Sequence, residues 1–180
     1  MRICVYGASS ENILQKYKDE AYELGKLMAK RGHSLVFGGG KYGLMGAVMR
    51  GVSESGGKSL GVSPKFFKPQ GVLCENCTGF IFTDTMRERK QTMEDNSDAF
   101  IMTPGGIGTY EEFFEMLTLR QLDRHEKPIA VLNTLGYFNE LLNLLEATLK
   151  KGFMRKDVTD SIIVSDSPAK LLDAIEKEVK

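Results

Sequence analysis

Short apolar runs rich in β-branched and aromatic residues alternate along this chain with longer segments of helical period, and glycine-bearing turns follow several of the runs. Together these observations predict an α/β fold, a Rossmann-like doubly wound parallel sheet with helices on both faces. The 180 residues are 42% hydrophobic, enough for one compact core, so a single domain over 1–180 is expected.

Strands are predicted at 2–7 (RICVYG), 34–39 (SLVFGG), 58–63 (KSLGVS), 79–83 (GFIFT), 99–103 (AFIMT) and 128–133 (PIAVLN), each a β-rich run bounded by turn residues. Helices fill the gaps at 11–31, 43–55, 85–96, 109–124, 135–150 and 168–179. The segment 135–150 carries Phe138, Leu141, Leu142, Leu145 and Leu149 at spacings of three and four, the stripe of a helix that covers a sheet. No repeat, linker or low-complexity stretch interrupts the pattern.

Lys and Arg together number 24 and Asp and Glu 24, so the chain carries no net charge. That balance argues against nucleic acid or an anionic membrane as the main partner, because both rely on a basic excess. The opening MRICVYGASS is too short for the apolar region of a signal peptide, and no stretch approaches the roughly 20 apolar residues of a membrane span, so a cytoplasmic protein is expected. Three cysteines suit a reducing compartment. Cys4 falls in a strand pattern and reads as core. Cys74 and Cys77 form a CENC pair with no second pair or nearby histidine to complete a metal site, and read as solvent-facing loop thiols. His33, after a helix end in KRGHS, and His125, in a charged loop, read as structural.

Open parallel sheets bind ligands beyond the carboxyl ends of their strands. Three turns fall there: GASS at 7–10, GGGKYGLMG at 38–46 and PGGIGT at 104–109. The second matches G-x-G-x-x-G through Gly38, Gly40 and Gly43, but the next strand ends VSPK and lacks the acid that would hold a dinucleotide ribose. The third is the more informative. Its glycines allow backbone N–H groups to face an anion, Thr109 can cap the following helix and donate a hydroxyl, and the helix dipole favours phosphate. It nevertheless runs directly into two carboxylates, Glu111 and Glu112.

MRERK at 86–90 followed by PGGIGTYEE at 104–112, with GGGKYGLMG upstream, resembles the LONELY GUY family of cytokinin-activating phosphoribohydrolases, formerly described as lysine decarboxylases. The resemblance covers essentially the whole chain. It implies hydrolysis of the N-glycosidic bond of a purine riboside 5′-monophosphate, typically N6-modified, giving free base and ribose 5-phosphate without a cofactor. Carried over by motif, Arg89 and Glu112 form the catalytic pair. Lys90, Gly105, Gly106, Ile107, Gly108, Thr109, Glu111 and Thr118 line the nucleotide, with Thr118 expected near the helix face of Glu112. Ser9, Gly39, Gly40, Gly43 and Met86 are further candidates. The resemblance also implies at least a homodimer with sites close to the subunit interface.

The chemistry suits that assignment. A breaking glycosidic bond develops positive charge on the ribose, which a carboxylate stabilises while the loop holds the phosphate. The helix N-terminus is expected to keep Glu112 ionised, with Arg89 and Lys90 offsetting the two anions. Arg87 stands where the family usually has histidine, and the loop 64–72 (PKFFKPQGV) lacks the family's usual glutamate. From another functional class, a nucleotide-binding or carrier module without turnover uses the same cradle. A pyridoxal-phosphate decarboxylase would require a Schiff-base lysine, for which the chain offers no fitting context.

Overall fold

A computed structural model describes residues 1–179; Lys180, the last residue of the predicted domain, lies outside the described residues. Its seven strands are β1 (Arg2–Tyr6), β2 (Ser34–Phe37), β3 (Ser59–Pro64), β4 (Gly79–Thr83), β5 (Ala99–Met102), β6 (Ile129–Leu132) and β7 (Ile162–Ser165). They form one sheet in the order β4-β3-β2-β1-β5-β6-β7. Every pairing is parallel. Strand order therefore reverses between β1 and β5, the switch point at which such sheets bind ligands.

The helices are α1 (Gln15–Lys30), α2 (Gly43–Glu54), α3 (Met86–Asp95), α4 (Ile107–Gln121), α5 (Asn139–Lys150), α6 (Lys156–Asp160) and α7 (Pro168–Glu178). β1 shows why both faces are covered. Ile3 and Val5 enter a core shared with α1, α2 and α7, whereas Cys4 and Tyr6 enter a second core with Met93, Phe113 and Leu145 from α3, α4 and α5. A strand buried on both sides reads as continuous apolar sequence, because successive side chains alternate between the faces.

Several elements differ from the sequence expectation. α1 begins at Gln15 and not at 11, because Ser10 bonds locally, its Oγ accepting from the Asn12 amide at 3.2 Å. β7 and α6 were not expected. β7 has only four residues, no flanking glycine turn and a single paired neighbour, β6. The 64–72 loop contains a 3-10 turn over Lys65–Gln70. α5 starts at Asn139, after a tight turn over Thr134–Gly136 in which Leu135 adopts a left-handed φ of 54°.

Cys74 is buried, and this corrects the reading of both CENC thiols as solvent-facing. Its amide donates to Gly39 O at 2.8 Å, which ties the segment back against the sheet and carries the thiol into the α1/α2 core. Burial also pushes the half-buried Cys77 up to about 12, so it stays protonated and unreactive. His33 Nε2 lies 2.7 Å from Glu176 Oε1, and His125 Nε2 lies 3.0 Å from Met116 O. Among the described residues, no cluster of three or more His, Cys, Asp or Glu could hold a metal ion, and no helix is long and apolar enough to cross a membrane.

Candidate active site

A cleft of about 520 Å³ opens at the carboxyl ends of β1, β2, β3 and β5. Gly7, Ala8 and Ser9 follow β1, Gly38 and Gly40 follow β2, and Gly106, Gly108, Thr109 and Glu112 come from the loop after β5 and the start of α4. Arg89 enters from α3.

Arg89 owes its position to the start of its helix. Thr85 Oγ accepts from the Glu88 amide at 3.1 Å while the Glu88 carboxylate accepts from the Thr85 amide at 3.3 Å, a reciprocal cap that fixes the first turn. Arg89 then leans over the sheet, its Nε donating to Val62 O at 3.3 Å and its Nη2 meeting Glu112 Oε1 at 3.0 Å. A Cβ on Gly38 would lie 2.3 Å from that Nη2, so any larger residue there would make the guanidinium shift.

Glu112 is 8% exposed. Burial raises its pKa from 4.5 to about 6, and Arg89 opposes the rise. Desolvation thus works against the ionisation expected of Glu112 near its helix N-terminus, and Arg89 is the strongest of the influences that restrain the shift. At pH 7 the carboxylate still exceeds the acid by about tenfold. Lys90 also lowers the Glu112 pKa, more weakly and without touching it. Lys90 Nζ contacts Glu111 at 2.8 Å and Glu115 at 3.1 Å on the outer side of α4, leaving Arg89 as the only cation that touches Glu112 among the described residues.

The two glycine loops have different fates. At the start of α2, the Gly43 amide donates to Glu11 Oε1 at 2.6 Å, and the Leu44 and Met45 amides both point at Ala8 O, at 2.8 and 3.3 Å. That helix end is already satisfied by the protein, so the G-x-G-x-x-G match leaves no room there for a pyrophosphate. At the start of α4, no group among the described residues accepts from the amides of Gly105 to Thr109. A Cβ on Gly106 or Gly108 would meet nothing within 4 Å, and both residues line the cleft with Thr109. α4 begins at Ile107 with Gly106 as its cap; Thr109, expected as the cap, sits one turn inside and packs against Gly105.

Of the residues expected to form the site, the structure gathers Ser9, Gly40, Arg89, Gly106, Gly108, Thr109 and Glu112 around the cleft. Gly39, Gly43, Met86, Lys90, Gly105 and Glu111 do not line it, and Ile107 is 86% exposed. Thr118 lies in a separate groove between α4 and α5, beside Phe114, Leu144 and Met154. Six residues turn a helix by about 600°, which puts Thr118 about 120° away from Glu112 and not on its face. Another part of the lining, Tyr42, Met45, Phe67, Gln70, Val72 and Leu73, was not named residue by residue from the sequence. Its signals were the segments that hold all of these but Leu73, the GGGKYGLMG turn and the 64–72 loop with its adjacent Phe66 and Phe67.

A parallel α/β sheet with a switch-point cleft, an unbonded helix start and a buried Arg–carboxylate pair is an arrangement that can hold a small anionic ligand beside an acidic group. Residues 45–175 match the family described as possible lysine decarboxylase. Over 178 residues the chain is 38% identical to a cytokinin riboside 5′-monophosphate phosphoribohydrolase of Arabidopsis thaliana, covering 99% of this chain and 84% of that protein. It is 39% identical over 178 residues to one of Oryza sativa subsp. japonica, covering 99% and 74%. The chain therefore belongs to the LONELY GUY family. Among solved structures, the molybdenum cofactor carrier protein of Chlamydomonas reinhardtii shares the fold, with a TM-score of 0.76 at 24% identity over 98% of this chain and 96% of that one. So does the molybdenum cofactor binding protein of Rippkaea orientalis, with a TM-score of 0.73 at 20% identity over 99% and 96%.

Proposed function

We propose that this protein is a phosphoribohydrolase that cleaves the N-glycosidic bond of a purine riboside 5′-monophosphate, an N6-modified adenine being the favoured base, to give free base and ribose 5-phosphate. The observation that carries the reading is the placement of the buried Arg89–Glu112 pair, 3.0 Å apart, in the same cleft as the unbonded amides at the start of α4. The 5′-phosphate is held by the Gly106, Gly108 and Thr109 amides. Glu112, one turn further along α4, stands about 4.5 Å beyond Thr109 along the helix axis, an offset suited to a ribose. The apolar wall of Met45, Phe67, Val72 and Leu73 suits the base.

As the C1′–N9 bond lengthens, its electron pair leaves with the base and positive charge spreads over C1′ and the ring oxygen. The Glu112 carboxylate stabilises that charge and takes a proton from the water that adds to C1′, and that proton passes on to the departing base, which leaves neutral while Glu112 returns to its ionised form. Arg89 keeps Glu112 ionised despite its burial. The relatives named as phosphoribohydrolases support the same chemistry.

A panel of nucleoside 5′-monophosphates assayed for ribose 5-phosphate release tests the proposal. Release from at least one purine monophosphate, with the matching nucleoside refused, is expected. Equal rates on adenosine and AMP would remove the phosphate cradle from the account. Tight binding across the panel with no release would make the protein a carrier and not a hydrolase.

A further inference from the structure

The amides at the start of α4 are useful to an anion only if they point into the cleft, and an isolated glycine-rich loop has no reason to hold them so. Three consecutive carbonyls of this loop are each occupied from the protein side. Pro104 O accepts from the Ala8 amide at 3.1 Å, Gly105 O from the Tyr137 hydroxyl at 2.8 Å, and Gly106 O from the Tyr110 amide at 3.1 Å. The first and third bonds come from backbone, and any sequence could make them. The middle one depends on a single side-chain hydroxyl from a distant part of the chain.

We infer that Tyr137 is a positioning residue of the candidate site: by holding the Gly105 carbonyl, its hydroxyl aims the Gly106 N–H into the cleft as a donor to the ligand's phosphate. In a planar trans peptide the C=O of one residue and the N–H of the next point in opposite directions. Gly105 O points at Tyr137, which stands outside the cleft, so the N–H of the same peptide unit points away from Tyr137. Gly106 lines the cleft. Were this peptide to turn over, a carbonyl would face the phosphate and the cradle would lose a donor while gaining a repelling oxygen.

Tyr137 is itself held in place. It follows a turn in which Leu135 and Gly136 both have left-handed backbone, at φ 54° and 71°, a conformation a leucine adopts only under constraint from its surroundings. Its ring packs edge-on against Phe138 at 4.9 Å between centroids and against Tyr17 at 5.8 Å. Asn133 Oδ1, which accepts from the Phe138 amide at 2.7 Å, closes the turn from the other side. A strained turn, an aromatic pair and a side-chain bond therefore converge on one hydroxyl.

The inference rests on the phosphate-binding role proposed above, and calorimetric titration with AMP and with ribose 5-phosphate separates the two. Tyr137→Phe keeps the ring and its packing and removes only the hydroxyl. It is expected to weaken both ligands by about tenfold, the loss of one hydrogen-bonded donor to a charged group, with an unchanged melting temperature. In nuclear magnetic resonance spectra, the shift of the Gly106 amide on phosphate binding shrinks in the variant, while that of Gly108 persists. Tyr17→Phe, the same deletion on the neighbouring ring, leaves both affinities as they were. Unchanged affinities in Tyr137→Phe, or an equal loss in Tyr17→Phe, would overturn the assignment while the functional reading stands. A wild-type protein that bound neither ligand would overturn the functional reading and this inference with it.

Discussion

Glu112 is the residue on which the chemistry turns, and its environment makes it testable. Glu112→Gln keeps size but removes the anion, so kcat is expected to fall by roughly a hundredfold or more while nucleotide affinity stays similar or tightens. Glu111→Gln is the control, and should be mild because Glu111 faces outward, bonded to Lys90. If Glu111→Gln abolished turnover and Glu112→Gln did not, the assignment would be wrong. Activity that needs ionised Glu112 rises with pH through about 6. The substrate phosphate titrates in the same region, and the residual activity of Glu112→Gln reports that contribution alone. Arg89→Ala removes the cation that lowers the Glu112 pKa, so its acid limb should move to higher pH as binding weakens. Stability follows from the same shift. A carboxyl whose folded pKa is raised favours folding fully below 4.5 and loses that contribution as pH rises through about 6, a change of about 2 kcal/mol. Thermal midpoints of Glu112→Gln and wild type should therefore draw apart in the variant's favour between pH 4.5 and 7.

Glycine plays opposite parts in different elements. In α4, a Cβ at Gly108 meets nothing within 4 Å, so Gly108→Ala should stabilise the helix by about 0.5 kcal/mol. The added methyl enters the cleft, however, and ligand binding should weaken several-fold: a more stable and less active protein, read by melting and by KM. α1 and α2 meet through glycines instead. A Cβ on Gly25 would lie 2.1 Å from Val48 O, and one on Gly51 would lie 2.1 Å from Tyr22 O. These contacts are backbone and cannot swing aside, so Gly25→Ala should cost about 2 kcal/mol or more by forcing the helices apart. A stable Gly25→Ala would mean that the two helices pack less tightly than described.

At the scale of the whole molecule, an apolar face between two helices is left uncovered among the described residues. The groove between α4 and α5 carries Phe114, Leu144 and Met154, and nearby Leu122 and Phe153 are 58% and 80% exposed. The chain is expected to form at least a homodimer through this face, which would bring Thr118 to the interface and account for its place in the family motif away from the cleft of its own chain. Light scattering should return at least twice the 20.0 kDa of one chain, and Leu144→Glu, a buried charge in the dimer, should lower that mass. A 20.0 kDa species at micromolar concentration would exclude the dimer.

Local pattern alone made much of this protein legible. Apolar runs alternating with helical stripes specified the α/β class and six of the seven strands, because burial on both faces writes itself into composition. The family resemblance carried by MRERK and PGGIGTYEE singled out Arg89 and Glu112, and both line one cleft because consecutive crossover units return each turn to the same end of the sheet. Without the family resemblance, residue pattern could not tell which of two adjacent cations, Arg89 or Lys90, would reach Glu112, since one residue turns a helix by about 100° and the packing of α3 on α4 chooses between them. Nor could it show that Glu11 and Ala8 fill the start of α2 while the start of α4 stays open, or that burial lifts Glu112 to about 6. The aromatic wall at Phe67 and the hydroxyl of Tyr137 come from segments far from the motifs. Periodicity records whether a side chain is buried, whereas the partner it meets across tens of residues is set by tertiary structure alone.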